Sequence, residues 1–309
     1  MSVTVLAGGV GGSKLVEGIA AVVGQPALAI IANPGDDTER HGLVISPDPD
    51  ILTYHLAGLI DREKGWGMAD ESFRCLEALG RLGEETWFGL GDLDLATHIV
   101  RTQLLREGRR PTEVAAHIAE RLGVQARILL PSDAPIRTWF RRADGWVGFQ
   151  EHYIRDRCEP EVLEVDHRGA AEAAAAPEAL AAITGCDAVI IAPSNPIASI
   201  GPILAVAGIR AALSEVKVPR VAVSPLPGGK SLKGPTDRMM RSLGLRADAV
   251  GVADVYEGLI DGMLVDEVDA PLVGELSARG LKVALGPTVM RTAADKERCA
   301  RAALDLALA

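Results

Sequence analysis

Short runs of aliphatic and β-branched residues alternate along this chain with longer stretches that carry apolar residues at helical spacing. We predict strands at residues 3–6, 27–32, 126–130, 136–141, 146–151, 188–192, 220–223, 251–253, 262–265 and 282–285. Alternation of strand, loop and helix favours a mostly parallel sheet with helices on both faces. Aromatic residues make up only 4% of the chain, which suits an aliphatic core around strands buried on both faces. The sequence therefore predicts an α/β fold with a Rossmann-like, doubly wound sheet.

These strands fit a single domain spanning residues 1–309. Residues 61–125 differ in character, because apolar residues recur there at helical spacing over 71–82, 95–106 and 112–122. We interpret residues 61–125 as a helical cap inserted into the sheet domain. Further predicted helices cover residues 13–23, 51–59 with Asp50 as N-cap, 170–182 on the surface, and 293–308. The strands at 136–141 and 146–151 are predicted to form a hairpin through residues 143–145.

Charge and composition exclude several classes of protein. A net charge of −10 argues against general nucleic-acid binding, because an acidic surface repels the phosphate backbone. No apolar run reaches the ~18 residues that a membrane span needs, and the first strand leaves no room for a signal peptide. The four cysteines are scattered without a CxxC pair, which favours neither a zinc site nor a disulfide framework. We expect a soluble, cytoplasmic protein with no nucleic-acid and no membrane partner.

A dense glycine cluster follows the first strand, in the order Gly8-Gly9-Val10-Gly11-Gly12-Ser13-Lys14. Glycines let backbone N–H groups approach a phosphate, and the start of a helix adds a favourable dipole. The cluster is not a Walker A loop, because Ser13 precedes Lys14, and Lys14 stands where the dinucleotide fingerprint needs glycine. We predict that Gly9, Gly11, Gly12 and Lys14 bind a nucleotide phosphate; a tight turn without a ligand is the alternative.

Aspartates cluster after the second strand, at Asp36 and Asp37 and again at Asp48 and Asp50. Carboxylates suit Mg²⁺, which prefers a few of them together with water and substrate phosphates. Aspartates also serve as ordinary turn and N-cap residues. Beside a phosphate-binding loop, we predict a metal role for at least one of the four.

Two further segments carry polar side chains in a suggestive order. Asp94, His98 and Arg101 lie at i, i+4 and i+7 and therefore share one helical face, which a solvent-exposed helix would also show. The loop after the strand at 188–192 contains Ser194, Asn195 and Ser199, which offer donors and acceptors to a nucleotide, with helix capping by Ser199 as an alternative. Lys230 and Lys233 follow a later strand, in a segment that fails the Walker A pattern.

The ordered set of segments resembles the 2-phospho-L-lactate transferase family of coenzyme F-420 biosynthesis. The matching stretches are LAGGVGGSK, NPGDD, HGLVISPDPD, WFGLGDLDLATHIVRTQLLREG, APSNPIASIGPIL and SPLPGGKSLKGP. They occur in the family's order between residue 4 and about residue 235. Some relatives carry arginine where this chain has Leu93 and Leu95, which puts a phosphate contact at those positions in doubt.

The resemblance implies a Rossmann-like core and a Mg²⁺-dependent reaction. A guanosine-diphospho small acid would be joined to the deazaflavin alcohol Fo, with release of GMP, and a homodimer is expected. Which acid the donor carries, phospholactate, phosphoenolpyruvate or phosphoglycerate, stays open. The roles implied are Asp36 and Asp50 in catalysis, with Asp50 orienting or deprotonating the hydroxyl; Asp36, Asp37, Asp48 and Asp50 at the metal; Gly9, Gly11, Gly12, Lys14, Ser194, Asn195 and Ser199 at the nucleotide; and Asp50, Gly89, Asp92, Thr97, His98 and Arg101 at the deazaflavin.

Two other classes of protein remain as alternatives. One is a nucleotide-sugar-binding regulator from the related gluconeogenesis-factor group, which shares a glycine-rich start. The GDLDLATH and PSNP segments favour the transferase over it. The other is an NAD(P)-dependent dehydrogenase, against which the failed GxGxxG register and the aspartate-rich second loop argue.

Overall fold

The computed structural model describes all residues from Met1 to Ala309. The strands in chain order are β1 (Val3–Ala7), β2 (Leu28–Ala32), β3 (Thr38–Arg40), β4 (Leu43–Ile45), β5 (Arg127–Leu129), β6 (Arg137–Arg142), β7 (Gly145–Gly148), β8 (Glu164–Arg168), β9 (Ala188–Ile191), β10 (Arg220–Val223), β11 (Gly262–Val265) and β12 (Lys282–Leu285). The helices are α1 (Gly9–Val23), α2 (Pro47–Ala57), α3 (Arg74–Arg81), α4 (Asp92–Arg106), α5 (Pro111–Arg121), α6 (Pro177–Thr184), α7 (Gly201–Leu204), α8 (Ala207–Glu215), α9 (Thr236–Ser242), α10 (Ala249–Val255), α11 (Val273–Ser277) and α12 (Ala293–Leu308).

Seven parallel strands form the central sheet in the order β12-β11-β10-β9-β1-β2-β5. The chain runs from β1 outward to β2 and β5, then returns to the other side of β1 as β9 and continues to β12. The strand order therefore reverses between β1 and β9, the position at which doubly wound sheets bind ligands. The predicted α/β, Rossmann-like fold is confirmed.

Apolar side chains cover both faces of this sheet. Every residue of β1, β2 and β9 is buried, and alternate residues contribute to two large cores, one on each face. The first core contains Val5 and Ile190 together with residues of α1 and α12, and the second contains Leu6 and Ile191. Few aromatic side chains take part, as the composition indicates.

Helices and small sheets are inserted between β2 and β9. The hairpin of β3 and β4 precedes α2, and α3, α4 and α5 follow between residues 74 and 121, so the predicted helical character of this region is present. β6 forms the middle strand of an antiparallel sheet with β7 and β8, and the predicted hairpin through residues 143–145 is confirmed. β3, β4 and β8 were not predicted from the sequence.

Several predicted boundaries are wrong. α1 begins at Gly9, so the glycine cluster forms the first helical turn and not a loop before residue 13. α2 begins at Pro47 with Ser46 as N-cap, so Asp50 lies inside the helix and is not its cap. Proline is favoured in the first turn of a helix because backbone N–H groups there have no acceptor within the helix. A residue without an N–H therefore loses no hydrogen bond at that position.

Three other segments also differ from the prediction. Residues 251–253 belong to α10, whose first turn is capped by the Asp248 carboxylate accepting from the N–H groups of Val250 and Gly251. The alanine-rich helix starts only at Pro177 and buries Ala179 against the sheet, so it does not span 170–182 as a surface helix. The strand predicted at 146–151 ends at Gly148, and residues 151–155 form a helical turn.

Candidate active site

A cavity of about 720 Å³ opens where β1 and β9 end. Its walls come from three parts of the fold: the loops and helix starts at the carboxyl edge of the sheet, the segment between β4 and α4, and residues 149–154. Elements from opposite sides of the strand-order reversal therefore meet around one space, of a size that suits nucleotides and similar ligands.

Glycines allow the first turn of α1 to lie directly against the loop that follows β9. A Cβ atom on Gly11 would overlap the carbonyl oxygen of Pro193, and one on Gly12 would lie 2.5 Å from Ser194 Oγ. The Ser194 hydroxyl donates to the carbonyl of Gly8 at 2.7 Å. Ser194 therefore joins the two loops at the strand-order reversal.

The start of α1 offers free backbone donors to an anion. The N–H of Gly8 donates to Ser194 Oγ and that of Gly9 to Asp48 Oδ1. The N–H groups of Val10 and Gly11 have no acceptor, as expected for the first turn of a helix. Lys14 lines the same cavity. Free N–H groups, the helix dipole and an ammonium group are a combination that suits a phosphate.

Asp36 and Asp48 form a pair of buried carboxylates bridged by one amide. Asn33 Nδ2 donates to Asp36 Oδ1 at 2.9 Å and to Asp48 Oδ2 at 2.8 Å. Burial raises the pKa of Asp48 to about 6. Burial and the neighbouring Asp48 raise the pKa of Asp36 well above its ordinary value. Two carboxylates that repel each other at the edge of a cavity are the arrangement a cation would stabilise.

This pair fits Mg²⁺ better than the predicted set of four aspartates does. No three or more of the histidine, cysteine, aspartate and glutamate side chains gather into a metal-binding cluster. Asp50 is bound to an arginine, and Asp37 lies 3.7 Å from Arg137 with its pKa raised to about 7 by burial. Mg²⁺ characteristically uses one or two carboxylates together with water and substrate phosphates, which Asp36 and Asp48 beside the phosphate site would provide.

Asp50 forms a buried ion pair with Arg101 of α4. Arg101 Nη1 donates to Asp50 Oδ2 at 2.9 Å, and Nη2 donates to Oδ1. Burial raises the pKa of Asp50 to about 6, with Arg101 opposing the shift. The pair joins α2 to α4 and holds the Asp50 carboxylate at the cavity wall.

His98 and Asp94 occupy the same face of α4 as Arg101. Arg101 Nη1 lies 3.1 Å from His98 Nδ1, whereas His98 Nε2 is buried and has no partner. Burial and the nearby Arg101 lower the pKa of His98 to about 3, so its ring is neutral. The hydroxyl of Tyr54 donates to Asp94 Oδ1 at 2.6 Å. The shared helical face predicted from spacing is present and buried.

Most of the predicted site residues line the cavity together. These are Gly9, Gly11, Lys14, Asp36, Asp48, Asp50, Gly89, His98, Ser194, Asn195 and Ser199, with Lys233 from the later loop. Ser199 caps no helix, because α7 has Ile200 as its N-cap. Asn195 Oδ1 accepts from the N–H groups of Ile197 and Ala198 and therefore shapes its own loop.

Six of the highlighted residues lie outside the lining, namely Gly12, Asp37, Asp92, Thr97, Arg101 and Lys230. Asp92 accepts from Ser72 and from the N–H of Cys75, which caps α3. Thr97 contacts the hydroxyl of Tyr54, behind the wall. Arg101 is 4% exposed and acts through Asp50 and His98. The deazaflavin contacts predicted for Asp92, Thr97 and Arg101 stay predictions.

The aromatic part of the lining was not predicted from the sequence. Tyr54, Trp66, Trp87 and Phe88 all line the cavity. Lys64 Nζ lies 5.1 Å from the Trp66 ring centroid. Two of the four tryptophans of the chain thus lie at one site. Because aromatic residues are rare in this aliphatic sequence, the tryptophans themselves could have been selected as candidate binding residues.

Comparison with known proteins assigns the chain to a family. The sequence model described as "2-phospho-L-lactate transferase CofD" matches residues 3–283. The chain belongs to the CofD family. A relative named phosphoenolpyruvate transferase, from Streptomyces griseus, is 40% identical and covers 99% of this chain and 98% of its own. A 2-phospho-L-lactate transferase from Methanosarcina acetivorans is 37% identical, with 95% of each chain covered.

A CofD-family assignment makes this protein a transferase of coenzyme F-420 biosynthesis. Of the alternatives, the regulator and the dehydrogenase are therefore both set aside. Among solved structures, a UPF0052-family protein of Bacillus halodurans matches with a TM-score of 0.62 and 17% identity, covering 98% of this chain and 100% of its own. At that identity the likeness supports the fold alone. No helix of the CofD-family chain is long and apolar enough to cross a bilayer.

Proposed function

We propose that this CofD-family transferase moves a phosphorylated small acid from a guanosine-diphospho donor to the deazaflavin alcohol Fo and releases GMP. The observation that carries the proposal is the composition of the cavity. A phosphate site at the start of α1, a carboxylate pair and an aromatic wall all face one space. These suit a diphosphate, a divalent cation and a flat ring system, respectively.

The donor acid proposed first is phosphoenolpyruvate. The Streptomyces griseus relative, 40% identical over nearly the whole of both chains, bears the name phosphoenolpyruvate transferase, as does a Mycolicibacterium smegmatis relative that is 37% identical with 99% of both chains covered. Phospholactate is the second choice, on the name of the Methanosarcina acetivorans relative. Phosphoglycerate remains a third candidate for the test.

The proposed reaction is a displacement at phosphorus. The primary hydroxyl of Fo forms a bond to the phosphorus that carries the acid, the bond from that phosphorus to the GMP oxygen breaks, and the hydroxyl proton passes to a base. The products are a phosphodiester of the acid with Fo, and GMP. In such reactions positioning and electrostatic stabilisation supply most of the rate enhancement.

The donor's diphosphate is proposed to lie at the start of α1. The N–H groups of Val10 and Gly11 would donate to it, and Lys14 and Lys233 would oppose its charge. Asp48 accepts from the adjacent N–H of Gly9 and would repel a phosphate there unless a cation lay between them. Mg²⁺ held by Asp36 and Asp48 would neutralise charge on the diphosphate and on departing GMP.

Asp50 is proposed to orient the acceptor hydroxyl and to take its proton. It lines the cavity two residues after Asp48 and is joined to α4 by Arg101. Arg101 fixes the plane of the carboxylate, while each oxygen keeps a second lone pair. A pKa raised to about 6 makes Asp50 a stronger base than an exposed aspartate and leaves it ionised at neutral pH.

Mass spectrometry provides the direct test. The purified protein would be incubated with Mg²⁺, Fo and the three guanosine-diphospho acids in competition. We expect GMP and one new deazaflavin product, whose mass names the acid; phosphoenolpyruvate is the expected one. A product with another acid would overturn that choice alone. Absence of any product while the guanosine nucleotide binds would overturn the proposed reaction.

A further inference from the structure

The loop between β10 and α9, residues 227–235, lies against two separate parts of the cavity wall. It begins and ends with proline, and several of its residues line the cavity. Lys233 Nζ lies 3.0 Å from the position of a Cβ on Gly65, and the hydroxyl oxygen of Tyr153 lies 2.8 Å from the position of a Cβ on Gly234. The 227–235 loop therefore reaches from the helical region before β5 to the turn that follows β7.

The backbone of this loop is weakly held in its middle. Residues 232–234 form no backbone–backbone hydrogen bond. Ser231, just before them, is anchored to α9, since its hydroxyl donates to Asp237 at 2.6 Å. Gly229 and Gly234 have φ angles of 70° and 73°, a region that glycine enters freely. Segments with few backbone hydrogen bonds open at low free-energy cost, so residues 232–234 can move while the rest of the fold stays in place.

Large apolar side chains of the cavity wall are exposed to solvent on both sides of this loop. Leu232 is 59% exposed, Trp66 43%, Tyr153 38% and Ile154 37%, although all four line the cavity. We call these four side chains the rim. Apolar surface in contact with water gains free energy when it is buried. The rim is therefore composed of side chains that favour closure over ligands in the cavity.

The proposed reaction gives the exclusion of water a chemical purpose. Water can attack the same phosphorus as the Fo hydroxyl does. Its oxygen would bond to that phosphorus, the bond from phosphorus to the GMP oxygen would break, and a proton would pass to the base. The products would be the free phosphorylated acid and GMP. Asp50 would take a proton from water as well as from an alcohol, so discrimination must come from groups that keep water out.

We infer that Leu232 determines the choice of Fo over water by closing the cavity when both substrates are bound. Residues 232–234 move inward, and Leu232 packs against Trp66 of the rim. Trp66 is the partner within reach, because Gly65, the residue before it, already lies beside Lys233. The inference rests on the proposed function, because it takes displacement at phosphorus as the reaction.

Lys233 couples this closure to binding of the donor. Lys233 and Lys14 both line the cavity, and two ammonium groups that face one space attract a diphosphate. Donor binding therefore draws Lys233 inward, and the adjacent Leu232 moves with it. Leu232 carries no polar side-chain group that could bond to a substrate, so it determines specificity and takes no part in the chemical step.

The first test measures how the donor divides between Fo and water. Leu232→Ser would be incubated in H₂¹⁸O with Mg²⁺, saturating Fo and the guanosine-diphospho acid that the wild type uses. Attack by water places ¹⁸O in the phosphate of the released acid, and mass spectrometry compares that acid with the Fo product. Burial of a leucine side chain corresponds to about 10-fold in a closing equilibrium. We therefore expect the ratio of labelled acid to Fo product to rise about 10-fold over wild type.

Two further variants serve as controls for the first test. Leu82→Ser changes a leucine that is more exposed and lies outside the cavity, and it should keep the wild-type ratio. Leu232→Met keeps an apolar side chain of similar volume, and it should restore that ratio. An unchanged ratio in Leu232→Ser, or an equal rise in Leu232→Ser and Leu82→Ser, overturns the inference.

The second test follows the 227–235 loop without any reaction. Hydrogen exchange at the amides of residues 231–234 would be measured in the free protein, with Mg²⁺ and GDP, and with Mg²⁺, GDP and Fo. We expect exchange to be slowest with all three bound, by about 10-fold relative to the free protein, and this protection to be largely lost in Leu232→Ser. Equal exchange in the three states overturns the inference.

Failure of the proposed function would give a different result. A wild-type protein that forms no Fo product from any of the three donors contradicts the proposed function. A wild-type protein that forms the product, while Leu232→Ser forms it with the same ratio and the same hydrogen exchange, contradicts the role of Leu232 alone.

Discussion

The Asp50–Arg101 pair places the carboxylate proposed as the base inside a buried ion pair. Both side chains are buried, at 4% exposure each, and both Asp50 oxygens accept from the guanidinium. Removing one partner leaves the other as an uncompensated buried charge, whereas removing both is often tolerated. Loss of activity in a single variant would therefore not separate catalysis from folding, but a pair of variants does.

For Asp50→Asn we expect a loss of about 3–5 kcal/mol in the free energy of unfolding, because Arg101 is left unpaired. Asp50→Asn combined with Arg101→Met should recover most of that stability, since neither charge remains. Urea unfolding measures the recovery. Turnover should stay at least about 100-fold below wild type in the recovered double variant, as removal of a general base commonly gives. Wild-type turnover there would exclude Asp50 as the base.

Gly11 requires a close approach that no side chain allows. We expect Gly11→Ala to cost about 1–3 kcal/mol and to weaken guanosine-nucleotide binding, because the new Cβ overlaps the carbonyl oxygen of Pro193. Gly274 in α11 is the matched control, since a Cβ there meets nothing within 4 Å. Gly274→Ala should be neutral or stabilising by about 0.5–1 kcal/mol. Thermal unfolding and nucleotide titration compare the two; equal behaviour would contradict the packing argument.

At the level of elements, one carboxylate connects three helices. Glu17 of α1 accepts from Lys296 Nζ of α12 at 2.6 Å and lies 2.9 Å from His55 Nδ1 of α2. Arg62 adds a further contact. Against the opposing effect of burial, these hydrogen bonds lower the pKa of Glu17 to about 2. The helices that carry the proposed phosphate site and the aspartates, α1 and α2, are thus held together by a charged group away from the cavity.

The Glu17 pKa predicts how stability changes in acid. A carboxyl group with a lowered folded-state pKa contributes stability above its unfolded pKa of about 4.5, and the contribution disappears as the pH falls towards 2. At pH 7 we expect Glu17→Gln to unfold more easily by roughly 2 kcal/mol, a value reduced for partial exposure. Urea unfolding at pH 7, 5 and 3 should show the two proteins converging. Glu77→Gln should show no such trend, and a constant difference at all three pH values would contradict the assignment.

The elements also show what the sequence could and could not reveal. β10, β11, β12 and α12 lie at the predicted residues, because long or strongly patterned segments carry their own signal. The segment 251–253 was too short for its apolar pattern to distinguish a buried helix from a strand. In the structure it is helical, and the side chain of Asp248 caps that helix. β3, β4 and β8 have three to five residues each and are partly exposed, so their pairing depends on contacts between distant parts of the chain.

For the candidate site, the sequence indicated individual residues but not how they are arranged around the cavity. The glycine cluster and the aspartates could be selected as candidates, because phosphate and metal chemistry restricts residue type within a short segment, and most of them line the cavity. The separation of Asp50 from the Asp36–Asp48 pair could not be predicted, because it depends on an ion pair with Arg101, which lies 51 residues further along the chain. The aromatic wall is assembled from separate segments around residues 54, 66 and 87, with no spacing that indicates a common surface.

On the scale of the whole molecule, one side chain brings the loop after β10 close to residues 61–125 at the cavity. Lys233 follows β10, lines the cavity, and lies 3.0 Å from the position of a Cβ on Gly65. Lys233 forms no ion pair. Burial is the main cause that lowers the pKa of Lys14, and the charge of Lys233 lowers it further. Two ammonium groups facing one space indicate a place for an anion. The expected homodimer and cytoplasmic location stay predictions at this scale.

We expect Lys233→Ala to raise the KM for the guanosine-diphospho donor about 10-fold, since one charge-assisted contact is lost. The KM for Fo should change less, because Lys233 opposes the diphosphate. Lys282→Ala is the control, an exposed lysine in the edge strand β12. Steady-state kinetics at two salt concentrations would show the effect shrinking at high salt. An equal rise in both KM values would argue against a specific donor contact.

The position of β1 between two partners has a consequence for synthesis of the chain. Val3 pairs with Leu28 on one side and with Ala188 on the other. One edge of β1 therefore has no partner strand until the ribosome has made β9, well past the middle of the chain. During that interval an apolar strand presents unpaired N–H and C=O groups, the situation in which nascent chains associate wrongly and need chaperones. The contact of Ser194 with Gly8, at the start of α1, cannot form until Ser194 emerges. The phosphate site proposed there is therefore complete only after almost two thirds of the chain has been made.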